Sequence, residues 1–341
     1  MTVPPYVETA SRGRHRRPRR ARRGKTGQPP RSLLAFAAIA LAGAATFVGP
    51  HSCSASATSS FATPFSADSP WRQLISPDPV VDPNSDAMIA SVESTRALHA
   101  NLVEFGIPIY RVTPDTPSHS VTCSGDGWGV CPLAGWPVLI PPDAQPNSGS
   151  DGAMVTVNES SSMIFEFWRA SKKDGQWLAE WGAVNSLNGS GWGGSATGSG
   201  ASRLGGVIRV AEIAEGKIPH ALALQTNNAC TAFRPPALKG DGTSVRADCI
   251  PEGARLQLDP ALDLNGLNLT RAEWAVARAM QIYGGYVVDA GSAPLSVSFE
   301  RDLSAPPGVP GDIYQAAGLR WDYDAMDHVP WEKLRVLSEH R

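Results

Sequence analysis

The stretch "AMVTVNESSSMIFEFWRASKKDGQWLAEWGAV" (153–184) decides the fold class. Apolar and β-branched residues fill three short segments, and the gaps "ESSS" and "KKDG" between them have turn composition. The pattern predicts three antiparallel strands over 153–158, 163–170 and 176–184. Four further strands are expected after this meander, at 220–225, 254–259, 286–289 and 295–300.

Helices are expected on both sides of the strand-rich region. Ser85 can cap one over 85–105, with Met88, Val92, Leu98, Leu102 and Phe105 on one face. A Thr270–Glu273 capping box begins another over 270–283, with Trp274, Ala277, Met280 and Tyr283 on its apolar side, and 209–216 is a shorter helix or turn. We therefore expect a mainly β chain, a β-sandwich or jelly-roll-like single domain with two or three helices.

The N-terminus has the order of a secretory leader. Ten basic side chains and one acidic side chain lie in residues 1–32, a 17-residue uncharged run follows at 33–49, and an A-x-A site ends at Ala57. This predicts a signal peptide over 1–57, a flexible tether over 58–70 and one β-rich domain over 71–341. The alternative is an uncleaved anchor at 33–49 with the domain outside the membrane, although a spanning helix needs about 20 apolar residues.

Removal of the leader changes the charge of the chain. The count falls from 30 basic and 32 acidic side chains to 20 and 31, which is a net charge of −11. Such a surface repels phosphate backbones, so nucleic acid is excluded as a partner. A membrane contact is expected through an uncleaved N-terminus only, and the domain is expected to be a monomer.

The cysteines indicate an oxidising compartment. Four remain after the leader, and an even number favours disulfides in an exported chain. Three pairings are possible, of which sequence neighbours favour Cys123–Cys131 and Cys230–Cys249. Zinc binding by four thiolates is the alternative, but the sequence has no C-x-x-C spacing.

The glycine-rich stretch "GWGGSATGSGASRLGG" (191–206) looks like a phosphate-binding loop. It lacks the G-K-[ST] ending of a P-loop and any surrounding βαβ unit, so no nucleotide cofactor is expected. We interpret it as a long mobile loop beside a binding site, or else as a disordered segment. Ser195 and Thr197 then offer hydroxyls to a sugar, and Trp192 offers a stacking face.

Four side chains are candidates for catalysis. Glu166 lies between Ile164 and Trp168 on one strand face, where partial desolvation raises the pKa of a carboxyl group; a structural ion pair is the alternative. His220 is a candidate base or ligand-orienting group, or else a buried core histidine.

Asp289 ends a strand, a position suited to a cleft, or else it caps a turn. Asp151, before Gly152, has a stronger turn interpretation. Tyr283 is a weaker proton donor. The histidines show no metal-ligand spacing, so no metal cofactor is expected. No serine lies in a G-x-S-x-G elbow, which disfavours a serine hydrolase.

All ten tryptophans lie after the leader, and flat aromatic faces stack on sugar rings. Most are expected in the core. Trp168 and Trp181 of the meander are further ligand-binding candidates, and Trp128 in the small cysteine loop is expected to be exposed.

Several stretches together resemble a family of secreted actinobacterial proteins found beside cell-surface and polysaccharide-related genes. The resemblance covers about residues 64–336 and carries no activity or catalytic residues to this chain. Its motifs here are "PWRQLISPDPVVDPNSDAMIASV" (70–92), "SDGAMVTV" (150–157), "FEFWRA" (165–170), "GWGGSATGSGASRLGGVIRVAEIAEGKIPHALAL" (191–224), "IPEGARLQLDP" (250–260) and "YGGYVVD" (283–289).

These features predict a secreted carbohydrate-active protein. A glycoside hydrolase or polysaccharide lyase acting on an extracellular or cell-wall glycan is the first hypothesis. A non-catalytic glycan- or cell-wall-binding module is the alternative. Two carboxyl groups about 5–10 Å apart across a cleft would favour hydrolysis.

Overall fold

The computed structural model describes residues 61–93, 97–194 and 196–338 of the 341-residue chain. The expected leader, its alternative as an anchor at 33–49, and Ser195 lie outside these ranges. No helix within them is long and apolar enough to cross a membrane.

The described residues form one β-rich domain with four α-helices. The helices are α1 Ser85–Val92, α2 Val210–Glu215, α3 Arg271–Ile282 and α4 Asp312–Ala316, with short 3-10 turns at Pro70–Arg72, Leu264–Gly266 and Trp331–Lys333. The strands are β1 His99–Asn101, β2 Ile109–Val112, β3 Ser118–His119, β4 Val121–Cys123, β5 Val138–Leu139, β6 Met154–Asn158, β7 Met163–Trp168, β8 Ser171–Lys173, β9 Gln176–Ala179, β10 Trp181–Ser186, β11 Leu222–Thr226, β12 Ala229–Phe233, β13 Ile250–Glu252, β14 Arg255–Leu258, β15 Gly285–Ala290, β16 Ser296–Ser298 and β17 Leu334–Val336.

Two sheets face each other across a shared core. A six-stranded sheet has the order β1-β16-β11-β15-β14-β17, and a four-stranded sheet has the order β10-β7-β6-β2. Val155 and Val157 of β6 share one hydrophobic cluster with Ala223 of β11 and Val288 of β15. The mainly β prediction is confirmed, and the facing sheets agree with a sandwich. The sheets also contain parallel strand pairs, such as β11–β15 and β2–β6, which the predicted antiparallel meander did not include.

The outer faces of both sheets are also covered. Leu222, Leu224 and Val287 of the six-stranded sheet pack with α1 and α3, while Phe165 and Phe167 of β7 pack in a separate outer cluster. Ile164, on the opposite side of β7, lies in the core between the sheets. The alternation of faces predicted for β7 is therefore confirmed.

The first predicted helix is too long. α1 ends at Val92, and His99–Asn101 pair in parallel with Ser296–Ser298 as an edge strand. Sheet pairing with a distant segment overrides the helical spacing of the local sequence here. Ser85 is the first helical residue rather than the cap, and its hydroxyl accepts a hydrogen bond from the Val336 N–H at 2.9 Å.

The third strand of the meander is divided at Glu180. Its first half is β9, which pairs with β8 and β4, and its second half is β10, which pairs with β7. Glu180 turns outward to form an ion pair with Arg169 at 2.7 Å. Trp177 is consequently buried in the outer cluster, whereas Trp181 is half-buried.

The second predicted helix is confirmed as α3. Thr270 and Glu273 form the reciprocal capping box, and Gly284, with φ of 65°, follows its end. One expectation about its faces is wrong, because Trp274 is exposed while Ala275 and Val276 are buried.

Both favoured disulfides are present, Cys123–Cys131 and Cys230–Cys249. They favour an oxidising, extracellular type of environment, where such bonds persist.

The part of the expected tether that the structure describes, residues 61–70, is packed against the domain. Phe65 is buried, and its backbone N–H donates to the Leu187 carbonyl. Trp71, which follows, stacks on Trp192 with ring centroids 5.2 Å apart and an interplanar angle of 6°. The burial of two large aromatic side chains explains why this segment is fixed rather than flexible.

Candidate active site

A cleft of about 600 Å³ opens over the outer strands of the six-stranded sheet. Its floor is built by strand alternation. His99 and Asn101 of β1 and Ser296 and Ser298 of β16 face the cleft, while the residues between them, such as Val297, face the core. Period-two alternation thus gives these strands one polar face and one apolar face.

Gln225 of β11 joins the floor into one hydrogen-bonded surface. Its carbonyl oxygen accepts from Ser296 Oγ at 3.1 Å and from Asn101 Nδ2 at 3.3 Å. Its amide nitrogen donates to Ser298 Oγ at 2.9 Å. These polar groups are held in place before any ligand arrives.

Asp289 reaches the cleft because of a bulge between β11 and β15. Leu224 pairs with Val287, but Gln225 pairs with Asp289, so β15 has one extra residue at this point. A bulge of this kind redirects a side chain, and Asp289 lines the cleft beside Gln225. Its side chain is 19% exposed.

A second carboxylate, Asp151, lines the same cleft with its side chain 37% exposed. The buried guanidinium of Arg203 lies between the two carboxyl groups, with Nη1 3.5 Å from Asp151 Oδ2 and Nη2 4.0 Å from Asp289 Oδ2. Because one guanidinium contacts both carboxyl groups, Asp151 and Asp289 are positioned around the same cation.

The environment of Asp289 favours its protonated form. Burial is the main cause, the charge of Arg203 opposes it, and the carboxylates of Asp241 and Asp151 add to it, so that the pKa of Asp289 is raised to about 8. Behind Asp289, the Asp241 backbone N–H donates to Glu252 Oε1 at 3.2 Å. Burial and the nearby Asp241 side chain raise the pKa of Glu252 to about 9. The site is therefore a chain of carboxyl groups in which Asp289 and Glu252 hold protons at neutral pH.

Gly198 brings the glycine-rich stretch into this chain. Its backbone N–H donates to Asp289 Oδ1 at 2.9 Å. A Cβ atom at residue 198 would lie 2.5 Å from Asp241 Oδ1 and 2.7 Å from Asp289 Oδ1. A residue with a side chain cannot make this approach without displacing the acids.

The glycine-rich stretch is accordingly a packed segment, not the mobile cover that the sequence suggests. The Ser199 N–H donates to the Val288 carbonyl at 3.0 Å, and Thr197 Oγ1 donates to the Ala201 carbonyl at 2.8 Å. Thr197 is buried, so the expected sugar contact is corrected to a contact within the loop. Trp192 likewise has one face covered by Trp71 and does not line the cleft.

Glu166 is fully buried between the sheets rather than in the cleft. It accepts hydrogen bonds from Asn185 Nδ2 at 2.9 Å and from the Ser202 hydroxyl. Burial raises its pKa despite hydrogen bonds from the Arg203 backbone, Ser202 and Asn185. Glu166 therefore anchors the segment that carries Arg203, and it cannot contact a substrate directly.

His220 belongs to a different region. Its Nε2 lies 3.1 Å from Glu212 Oε1, and its Nδ1 lies 2.8 Å from the Ala221 carbonyl. Burial lowers the pKa of His220, but the charge and hydrogen bond of Glu212 outweigh it and the pKa is raised. The adjoining pocket has a volume of about 30 Å³, the space of one or two waters, so this pair is a closed structural unit.

The remaining candidates also lie away from the cleft lining. Tyr283 is the C-cap of α3, and its carbonyl accepts from Arg255 Nε at 2.8 Å. Trp168 and Trp181 lie against Trp128, at centroid distances of 5.5 and 5.6 Å. Of the predicted catalytic residues, the structure thus brings Asp289 alone into the cleft.

Some residues that line the cleft were not predicted as site residues, because the sequence around them does not indicate a functional role. Asp151 has the sequence context of a turn residue, and His99 falls within an apparent helical pattern. "LSVSFE" (295–300) does alternate, so Ser296 and Ser298 could have been assigned to a polar sheet face, although nothing in the sequence indicates what that face contacts.

One described group has the spacing of a possible metal site, Glu273, Asp327 and His328. Both oxygens of Glu273 already accept backbone hydrogen bonds, from Thr270 and from His328. We therefore interpret this group as the capping box of α3 together with its neighbours.

No protein-family model, curated protein or solved structure matches this chain. The site is therefore interpreted from its geometry.

Proposed function

We propose that this chain is a secreted glycoside hydrolase acting on an extracellular or cell-wall glycan, with its active site in the Asp289 cleft. The supporting observation is the pair of carboxyl groups, Asp289 and Asp151, held beside one guanidinium in a polar cleft. Hydrolysis of a glycosidic bond uses one acid that is protonated and one carboxylate. Asp289, whose pKa is raised to about 8, suits the first role.

In the proposed reaction, Asp289 donates its proton to the glycosidic oxygen as the C–O bond breaks. A water molecule bonds to the anomeric carbon and gives a proton to Asp151. Arg203 keeps the two carboxyl groups in position. The floor of Asn101, Gln225 and the serines supplies hydrogen bonds to sugar hydroxyls, which is the usual way in which polar groups orient a ligand.

A lyase is less well supported by the same cleft. Tyr323 and His99 do line it, and tyrosine and histidine are side chains that can act as proton donor and base in a lyase. However, the Tyr323 hydroxyl donates to Glu104, and burial together with that carboxylate raises the pKa of Tyr323. A tyrosine with a raised pKa stays protonated at neutral pH and cannot accept the proton that a lyase base removes, whereas a pair of carboxyl groups is present.

The test is a screen of the purified protein against a panel of polysaccharides, with new reducing ends as the measurement. Turnover that disappears in both Asp289→Asn and Asp151→Asn is expected. Turnover that survives in Asp289→Asn would contradict the assignment. Binding without turnover by the unmodified protein would favour the glycan-binding module instead.

A further inference from the structure

Two exposed tryptophans lie close to residues that line the cleft. Trp321 is 55% exposed, and its ring meets that of Tyr323 at a centroid distance of 6.4 Å. Tyr323 itself lines the cleft. Trp321 therefore presents an aromatic face at the rim, next to the cleft wall.

The second aromatic surface lies beside Asp151, another residue that lines the cleft. Arg169 donates its backbone N–H to the Asp151 carbonyl at 2.6 Å, and its guanidinium covers the Trp168 ring at 4.4 Å. Trp128, which is 53% exposed, packs on Trp168 and Trp181. The loop that carries Trp128 is closed by the Cys123–Cys131 disulfide, which limits its conformational freedom before binding.

We infer that Trp321 and Trp128 are sugar-stacking subsites beside the cleft, and that the cleft and the two rings form one groove that binds a neutral polysaccharide along its length and cuts it internally. This inference rests on the proposed function. A cleft of about 600 Å³ has the size of a site for a short oligosaccharide, so a ligand that also reaches both rings is a longer chain.

The charges of the groove favour an uncharged chain. Arg203 contacts Asp151 and Asp289, and Arg169 is paired with Glu180. An anionic polysaccharide would have to compete with these carboxylates for the two guanidinium groups. A neutral glycan needs no such exchange, because stacking and hydroxyl hydrogen bonds are enough to hold it.

The experiment compares Trp321→Ala and Trp128→Ala with Trp274→Ala, a matched control. Trp274 is 40% exposed on α3 and does not line the cleft. Binding is measured by affinity electrophoresis in xylan, mixed-linkage glucan, arabinogalactan and hyaluronan, in an Asp289→Asn background that leaves the polymers intact. Each aromatic variant is expected to bind a neutral polymer about tenfold more weakly, with Trp274→Ala unchanged. The unmodified protein is expected to release mid-length products from the same polymer.

Several results would overturn the inference. The inference is overturned by unchanged polymer binding in both aromatic variants, by preferential binding of hyaluronan, or by single sugars as the sole products. In each of these cases the proposed catalytic role of the cleft would still stand if Asp289→Asn remained inactive. A shift from dimer to monomer on size-exclusion chromatography would assign the tryptophans to an interface between copies of this chain. If no polymer is bound or cut, the proposed function fails as well.

Discussion

The Asp289 cleft and the His220–Glu212 pair look alike in sequence but differ in structure. Each joins buried titratable groups near the glycine-rich stretch. At His220, the partner charges compensate each other, and the adjoining pocket has room for one or two waters. At Asp289, several carboxyl groups share the one guanidinium of Arg203 beside a cleft of about 600 Å³. An excess of acids next to open space indicates chemistry, whereas a paired histidine beside a small pocket indicates structure.

The largest difference between the two regions is expected in activity. Asp289→Asn keeps the shape but removes the proton donor, so kcat/KM on a cleaved polysaccharide is expected to fall roughly 100- to 10,000-fold. His220→Gln is expected to leave it within about twofold of the unmodified enzyme. Reducing-end assays on both variants check this, and an inactive but folded His220→Gln would move the active site to the other region.

Removing Trp71 is expected to have the largest effect on stability. Its side chain is fully buried between Trp192 and Tyr286, so Trp71→Ala is expected to cost about 3–5 kcal/mol of unfolding free energy. Phe105→Ala, at the cleft, is the comparison and is expected to cost less because Phe105 is partly exposed. Urea denaturation of both variants measures the difference, and equal losses would contradict the assignment of Trp71 to the core.

Glu166 tests whether a buried acid near the cleft is part of its chemistry. Glu166→Ala leaves the Ser202 hydroxyl and the Asn185 amide without their acceptor and is expected to cost about 2–3 kcal/mol. Glu166→Gln, which keeps the volume, is expected to cost less and to retain most of the activity. Loss of activity in Glu166→Gln with unchanged stability would instead make Glu166 catalytic.

The pH dependence of stability provides a further comparison. The pKa values of Asp289 and Glu252 are raised above those of the unfolded chain, so the folded protein holds protons that the unfolded chain has released. Stability is therefore expected to fall as the pH rises from about 5 to 8. Glu252→Gln, which is neutral at every pH, is expected to flatten this slope in melting curves taken across the range.

His220 provides the control for that slope. Its raised pKa gives stability that is complete below the unfolded value of about 6.5 and is lost as the pH rises through the folded value. The pKa of Glu212 is lowered because the charge and hydrogen bond of His220 outweigh the effect of burial, and its contribution is lost as the pH falls. His220→Gln should thus change the dependence of stability on pH above about pH 6.5 and leave the contribution of Asp289 and Glu252 intact.

For Glu252→Gln, an unchanged dependence of stability on pH would mean that Glu252 is not protonated in the folded state.

The sequence predicted correctly those parts of the fold that depend on residues close together in the chain. The alternation of side chains predicted the two faces of β7, and the Thr270–Glu273 capping box predicted the start of α3. Short separations along the sequence predicted both disulfides. The helix over 85–105 failed because β1 depends on β16, nearly 200 residues later, and no local signal encodes that pairing.

The cleft could not be predicted from the sequence for a similar reason, because it also depends on contacts between distant segments. Asp289 was found because a carboxylate at a strand end is suggestive by itself. Its partners Asp151, Asp241 and Glu252 are turn or strand residues that become a site when three distant segments meet. Glu166 was misleading, because a desolvated carboxyl group can be a structural acceptor as well as an acid.

The pairing of β1 with β16 also sets the order in which the molecule can be completed. Synthesis runs from the N-terminus, so His99–Asn101 must wait for Ser296–Ser298 to emerge from the ribosome. A nascent chain that ends before residue 296 already contains Asp151, Arg203 and Asp289 but lacks part of the floor beneath them. The proposed catalytic groups are thus synthesised before the surface that would orient a substrate is complete, and the finished cleft belongs to the nearly full-length chain.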